Sequence, residues 1–144
     1  MSKLIPMDYL SDLDSRTIFW GDDPETLGQV QPRTDHTIGL IGSRWLHRNL
    51  STEVKVLRLT IDNYEAFIKG GCPDVLIVES AFSFSAGCWD GALNKTSYKH
   101  EIILEVLSLC KNLSIPTLFW DTQGIESSDY FSGISKSFDY VFFC

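Results

Sequence analysis

The stretch PDVLIVESAFSFSAGCWDG, residues 73–91, joins two kinds of sequence that differ sharply in chemistry. It begins with a continuous run of branched apolar residues, which is typical of a parallel strand covered by helices on both faces. The run ends at the carboxylate of Glu79, and a loop of small and aromatic residues follows. An acid at the end of an apolar strand is tolerated where water or a ligand can reach it. The stretch therefore predicts a central strand whose carboxyl end faces a ligand crevice.

Strand and helix patterns alternate on both sides of this stretch. Five apolar runs predict strands at about 37–41, 54–59, 74–79, 116–121 and 139–143. The strongest helical periodicity falls between the third and fourth strands, over residues 97–111. Such alternation favours right-handed crossovers between parallel strands. We therefore predict a Rossmann-like, doubly wound α/β fold with a mainly parallel five-stranded sheet and helices on both faces.

Residues 1–36 do not share this alternation. Asp and Pro are frequent there and the apolar periodicity is weak. We predict an N-terminal lead-in arm over 1–36, with a short helix near Met7–Leu13 as an alternative, followed by one domain over 37–144.

Composition excludes several classes of protein. The chain has 144 residues, of which 44% are apolar, so it can fill the core of one domain. Its formal net charge of −7 disfavours a nucleic-acid binder or a polybasic membrane anchor. No apolar run approaches the roughly 20 residues of a transmembrane helix, and the first ten residues do not resemble a signal peptide. These features predict a cytoplasmic protein.

The four cysteines have no spacing typical of a metal site or a disulfide framework. They are Cys72, Cys88, Cys110 and Cys144, with no CxxC pair among them. The sequence also lacks the GxGxxG and GxxxxGK[ST] nucleotide-binding motifs. We expect free thiols, no metal and no cofactor.

The candidate site follows from the predicted topology, because ligands of parallel α/β sheets bind beyond the carboxyl ends of the strands. The residues that end the first, third and fourth predicted strands are Gly42, Ser43, Glu79, Ser80 and Asp121. Glu79 and Asp121 are the candidate catalytic carboxylates, since a positioned carboxylate can act as a general base. Each has a structural alternative: Glu79 can pair within the protein, Asp121 can stabilise a turn, and Gly42 can simply permit a tight turn.

The loop after the third strand carries the aromatic residues Phe82, Phe84 and Trp89. If these rings are exposed they form a binding platform, so Phe82 and Trp89 are candidate substrate-binding residues. The alternative is that these rings fold beneath the loop and fill the core, which would bury them and pair Glu79 internally.

An ordered series of segments resembles a known family. NYEAFI, PDVLIVESAF, a loop with Gly and Trp, a long helix, IPTLFWD and FDYVFF follow one another over about residues 37–143. The series resembles the N-terminal domain of bacterial GT-B glycosyltransferases related to spore-maturation, teichoic-acid and capsule glycosyltransferases. In that family the strand before the loop reads like PDLLFIESAW, and the next strand continues into IPTVFWNKED. Here the acidic NKED stretch is replaced by DTQG, residues 121–124, which retains one acid.

The resemblance implies an acceptor-side domain that acts in the synthesis of a cell-surface polysaccharide or other glycan. Glu79 and Asp121 would serve the reaction, while Gly42, Ser43, Ser80, Phe82 and Trp89 would hold the glycan acceptor. The implied partner is a donor-binding domain, either on the same protein or on a partner chain. Because the 144 residues contain no such domain, we expect no transfer by this chain alone, whether it is a fragment or a natural stand-alone half. The implied location is cytoplasmic or peripheral at the membrane.

Two other interpretations compete with this one. A non-catalytic interaction module could keep the fold and work with a partner chain. A flavodoxin-like or receiver-like domain is the other, but a receiver requires an acid pair after the first strand and an Asp after the third. The chain has Gly-Ser and Glu-Ser at those places, which disfavours that interpretation.

Overall fold

The computed structural model of the protein describes residues 35–81, 84–123 and 128–143. The predicted lead-in arm, including the alternative helix near residues 7–13, lies outside this part of the chain except for Asp35 and His36. Phe82 and Cys144 also lie outside it.

Strands and helices alternate along the described chain. The strands are β1 (Thr37–Ile41), β2 (Lys55–Arg58), β3 (Val75–Glu79), β4 (Thr117–Asp121) and β5 (Tyr140–Phe143). The helices are α1 (Arg44–Ser51), α2 (Tyr64–Lys69), α3 (Tyr98–Asn112) and α4 (Ser128–Ser135), and Gly87–Trp89 form a 3₁₀ turn. The five predicted strands and the predicted long helix are confirmed, each bound lying within one residue of its expected position.

All neighbouring strands are parallel, in the order β2-β1-β3-β4-β5. The α/β, Rossmann-like prediction is therefore confirmed. This order is that of flavodoxin-like doubly wound sheets. In such sheets the direction in which successive strands are added across the sheet reverses between β1 and β3. The carboxyl ends of those two strands flank the point where such folds open a crevice.

Two apolar clusters lie on opposite faces of the sheet. The larger cluster packs Leu76, Val78 and Phe119 of the sheet against side chains of α2, α3 and α4. In the smaller cluster, Leu40 and Ile77 meet Leu46 and Leu50 of α1. The alternation of β3 side chains between the two clusters explains its continuous branched sequence, since both of its faces are buried.

Capping residues fix where the helices begin. The Ser43 hydroxyl accepts from the Leu46 backbone N–H at 3.2 Å and caps α1. The Ser97 hydroxyl accepts from the Lys99 N–H and caps α3 in the same way. These side chains satisfy N–H groups that have no partner within the first helical turn.

The amino edge of the sheet is closed by two aspartates that immediately precede strands. Asp74, before β3, accepts from the N–H of Thr37 at 2.8 Å. Asp139, before β5, accepts from both the N–H and the hydroxyl of Thr117, at 2.9 and 3.1 Å. Each aspartate thus satisfies the first residue of a neighbouring strand, and both are exposed.

Candidate functional site

The carboxyl edge brings together the residues that the sequence places at the ends of β1, β3 and β4. Gly42, Ser43, Glu79, Ser80 and Asp121 are joined by short contacts, described below, that cross from strand to strand. Parallel pairing explains the convergence, because it aligns the carboxyl ends of all the strands at one edge. The functional roles of these residues stay predictions.

Glu79 is held at the N-terminus of α1. Its Oε2 accepts from the Ser43 N–H at 2.5 Å, and its side chain is almost fully buried. A carboxylate at this place is stabilised by the partial positive charge of the helix N-terminus. Helix α1 has no acid in its own first turn, so Glu79 provides from β3 the charge that the helix lacks.

Gly42 leaves the room that this contact requires. A Cβ atom at position 42 would lie 3.1 Å from Glu79 Oε2 and 3.0 Å from Leu40 Cδ1. Both distances are tighter than ordinary contacts, so a larger residue would push the Glu79 carboxylate away from α1. Gly42 is therefore explained by the approach of this side chain as well as by the turn.

Ser80 connects the end of β3 to the chain beyond β4. Its hydroxyl donates to Asp121 Oδ1 at 2.9 Å and accepts from the N–H groups of Thr122 and Gln123, at 2.8 and 3.2 Å. The Gln123 N–H also donates to Asp121 Oδ1 at 3.0 Å. Ser80 and Asp121 are buried, and Ser80 thereby fixes the orientation of the Asp121 carboxylate.

Sequence reasoning placed Thr122 at the end of the fourth strand but not among the candidate site residues. Thr122 donates its hydroxyl to Glu79 Oε1 at 2.9 Å. The two strand ends therefore exchange hydrogen bonds: the hydroxyl after β3 serves the acid of β4, and the hydroxyl after β4 serves the acid of β3. The signal in the sequence is an acid followed directly by a hydroxyl residue in both places, Glu79-Ser80 and Asp121-Thr122.

The donors to the two carboxylates are neutral backbone amides and hydroxyls. Buried carboxylates need such donors, because burial without hydrogen bonds costs several kcal/mol or more. A carboxylate oxygen held by a side-chain hydroxyl, such as Glu79 Oε1, is suited to accept a hydrogen bond from a ligand hydroxyl of the same kind. The arrangement can thus orient a hydroxyl or accept its proton.

Trp89 does not lie at the site as an exposed platform, which corrects the sequence expectation for this residue. Its ring is fully buried, and its Nε1–H donates to the Leu59 carbonyl at 2.7 Å. The indole packs 6.3 Å from the Tyr64 ring in the larger core. The physical reason is that Trp89 fills the core while satisfying a backbone carbonyl just beyond β2. Phe84 is buried in the same core. Phe84 and Trp89 thus follow the alternative in which the rings fold beneath the loop and fill the core.

The loop that carries Trp89 is tied to the edge of the sheet. The Ser85 N–H donates to the Gly42 carbonyl at 2.7 Å, and Arg58 Nη1 donates to the Ser85 carbonyl at 3.4 Å. Within the loop, Asp90 Oδ1 accepts from the Phe84 N–H at 2.8 Å. These contacts hold Ser85 against the ends of β1 and β2.

The Glu79 contact also bears on the flavodoxin-like interpretation. Flavodoxin-like and P-loop proteins bind phosphate at a helix N-terminus that follows a strand. Here the chain's own carboxylate accepts from the Ser43 N–H at the start of α1. An additional phosphate there would be repelled by this carboxylate, so the strand order alone does not argue for a phosphate-binding cofactor.

The described part of the chain has free thiols but no group of metal ligands. Among the described residues, no three His, Cys, Asp or Glu side chains are arranged to hold a metal ion. Cys72, Cys88 and Cys110 are free thiols, and burial raises the pKa of Cys110 to about 11. No helix within the described ranges has the length and apolar character needed to cross a membrane.

Comparison with known proteins adds no relative: no family model, no curated protein and no solved structure matches the chain. The functional interpretation therefore depends on the residues and their geometry.

Proposed function

We propose that the chain is the acceptor-side domain of a glycosyltransferase that acts in the synthesis of a cell-surface polysaccharide or other glycan. The proposal assigns the sugar donor to a second domain, on the same protein or on a partner chain. Glycosyl transfer then requires both parts, and this domain contributes the acceptor site and the groups that orient the acceptor hydroxyl.

The observation that carries the proposal is the exchange of hydrogen bonds between Glu79-Ser80 and Asp121-Thr122 at the carboxyl edge. Glu79 ends β3, one of the two strands between which the strand order reverses, and Asp121 ends β4, the next strand along. Ligands of doubly wound sheets bind at such a reversal. The segments that contain these residues are also the ones that carry the resemblance to GT-B acceptor-side domains.

The proposed chemistry centres on Glu79. One of its oxygens is fixed by the Ser43 backbone N–H, while the other accepts from the Thr122 hydroxyl, a half-buried side chain. An acceptor hydroxyl that replaces the Thr122 hydroxyl on Oε1 would be aligned by the fixed half of the carboxylate. Glu79 would then accept its proton as the acceptor oxygen bonds to the anomeric carbon of the donor sugar and the bond from that carbon to the nucleotide breaks, so that the nucleotide leaves on the donor-binding domain. Asp121 is held by Ser80 and would orient the neighbouring part of the sugar.

Binding of glycans to the chain itself tests the acceptor part of the proposal. The labelled protein is applied to a glycan array as wild type, as Glu79→Gln and as Asp139→Asn. We expect one class of glycan to be bound by wild type and Asp139→Asn but lost in Glu79→Gln. Asp139 is a matched control because it also accepts hydrogen bonds from a neighbouring strand, but at the amino edge. Absence of glycan binding by the wild type, or equal binding by all three proteins, would contradict an acceptor site at this edge.

Incubation with nucleotide sugars tests whether the donor site lies on a second domain. The 144-residue chain, mixed with a panel of nucleotide sugars and the bound class of glycan, should form no product. Product formed by this chain alone would refute the assignment of the donor to a second domain.

A non-catalytic interaction module is the second candidate, and two observations favour it. Glu79 is satisfied by the chain itself, and Trp89 is fully buried rather than presented to a ligand. In that case Glu79→Gln would lower stability without affecting the binding of any glycan. Denaturant unfolding of the same variants, read together with their glycan binding, therefore separates the two candidates.

A further inference from the structure

The two faces of the sheet are covered unevenly. On one face, the larger core contains side chains of α2, α3 and α4. On the other face, the only helix that contributes to the smaller cluster, within the described chain, is α1. The contacts of α1 with the sheet are concentrated on the side of β2. We call the β4 and β5 side of this face its open half, because no described helix other than α1 contributes to the cluster on this face and Tyr140 and Phe142 of β5 are exposed.

That half carries four apolar side chains, which we call the aromatic patch: Leu118 and Trp120 of β4 are half-buried beside the smaller cluster, and Tyr140 and Phe142 of β5 are exposed. Strand register places Leu118 opposite Tyr140 and Trp120 opposite Phe142. Tyr140 and Phe142 are 60% and 55% exposed. Contiguous apolar surface of this kind marks an interaction site, and β5 is also the edge strand of the sheet, where uncovered strands invite association.

We propose that residues 1–34 of the same chain dock across the aromatic patch, beside α1, and cover the open half of this face. The segment precedes β1 directly and supplies apolar side chains for such a contact, among them the run Ile18-Phe19-Trp20. This inference does not depend on the proposed function, because the carboxyl edge is a different surface.

The distance from the start of β1 to the patch is short compared with the segment. Neighbouring strands lie about 4.8 Å apart, and β4 and β5 are the second and third strands from β1 on that side. The chain must therefore cross roughly 10 to 15 Å of sheet. An extended chain advances about 3.3 Å per residue, so about five residues cover this distance and most of the segment remains to pack.

Charge favours the same placement. Residues 1–34 contain six Asp or Glu and three Lys or Arg, and are acidic overall. Helix α1, which borders the open half, carries Arg44, His47 and Arg48 and no acid. An acidic segment packed beside α1 would meet a basic helix, whereas a second copy docking the same patch would bring the two basic helices α1 towards each other.

Photo-crosslinking in the full chain tests the proposal. The residue p-benzoylphenylalanine is placed at position 142 and, as a control, at position 98, where Tyr98 is 72% exposed on α3. We expect position 142 to form an intramolecular crosslink to residues 1–34, identified by mass spectrometry, and position 98 to form none. A crosslink from position 142 to a second copy, or no crosslink from it, would overturn the proposal.

Charge reversal provides a second readout. Arg48→Glu on α1 should reduce the crosslink yield at position 142 several-fold, and the effect should shrink at high salt. The matched control Lys111→Glu, at the end of α3, should leave the yield unchanged. Equal yields in both variants would refute the electrostatic part of the proposal.

Discussion

The two edges of the sheet both contain a pair of acids, but the pairs are placed and used differently. At the amino edge, Asp74 and Asp139 precede strands, lie exposed and accept from the first residues of β1 and β4. At the carboxyl edge, Glu79 and Asp121 are the last residues of strands and are buried. The acid before a strand accepts a hydrogen bond from the first residue of the neighbouring strand. The acid at the end of a strand requires donors from elsewhere in the chain.

This difference means that folding costs more desolvation free energy at the carboxyl edge than at the amino edge. An exposed aspartate that caps a strand loses little hydration. A buried carboxylate loses its hydration and must be compensated by several hydrogen bonds. The compensation at the carboxyl edge involves Gly42, Ser43, Ser80 and Thr122. This concentration of buried polar groups is the reason for proposing the acceptor site at this edge rather than at the amino edge.

The largest expected difference between the edges is in catalysis. In an enzyme reconstituted with its donor-binding domain, Glu79→Gln should lower turnover by roughly 10²-fold or more, because general-base catalysis is typically worth that much. The amino-edge variant Asp139→Asn should leave turnover within about twofold, since it lies at the opposite end of the sheet. Steady-state kinetics of both variants makes the measurement. Wild-type turnover in Glu79→Gln would leave it a structural residue and transfer the prediction to Asp121→Asn.

The next largest difference is in stability, and Ser80 tests it. Ser80→Ala removes the donor to Asp121 and the acceptor for the Thr122 and Gln123 N–H groups. Leaving a buried polar group without a partner costs about 1 to 3 kcal/mol, so we expect the free energy of unfolding in urea to fall by at least that amount. Ser108→Ala, at an exposed position on α3, is the control and should change it little. A neutral Ser80→Ala would show that the hydrogen-bond exchange contributes nothing to stability.

A smaller effect is expected from the amino edge. Asp139→Asn keeps an acceptor oxygen for the Thr117 N–H and hydroxyl but removes the charge. Because the side chain is exposed, the free energy of unfolding should fall by about 0.5 to 1 kcal/mol at most. Urea denaturation of Asp139→Asn and Ser80→Ala side by side gives the ratio of their losses in the free energy of unfolding. A loss larger than that of Ser80→Ala would reverse the comparison.

The strands of the sheet were predicted correctly because apolar periodicity and the turn residues that end each strand are local signals. The branched run of β3 and the apolar stripe of α3 determine their elements without knowledge of their neighbours. The convergence of Glu79 and Asp121 was also predictable, since parallel topology places strand ends together. The strand order and the identity of the donors were not, because Thr122 reaches Glu79 across 43 positions of sequence and only the folded chain brings them together.

Trp89 was expected at the binding site from the sequence but lies in the core of the structure. A loop tryptophan beside Gly and Ser has the composition of a binding lip, yet its indole satisfies the carbonyl of Leu59, 30 positions away, and fills the core. Composition describes what a side chain can do, whereas burial depends on which cavity the folded elements leave open. Contacts at such separations carry no local signal in the sequence.

The smallest expected difference between the edges is in thiol chemistry. Cys110 lies near the end of α3, and burial, followed by the charge of Asp139 at the amino edge, raises its pKa to about 11. Cys88 lies in the loop at the carboxyl edge, where burial also raises the pKa, with Asp62 as a further charge that raises it. Cys88 is only half-buried, while Cys110 is buried.

Alkylation of the native protein by iodoacetamide at pH 8 should therefore modify Cys88 first and Cys110 far more slowly, as read by peptide mass spectrometry. A raised thiol pKa in the folded state means that the unfolded chain releases its proton first as pH rises. The stability contributed by the neutral Cys110 thiol is thus fully present below the unfolded pKa of roughly 8.5 and is lost as pH rises towards about 11. In Cys110→Ala the decline of the unfolding free energy over this interval should become shallower, and in Cys88→Ala it should change less. Faster alkylation of Cys110 than of Cys88 would contradict the burial of Cys110 in the larger core.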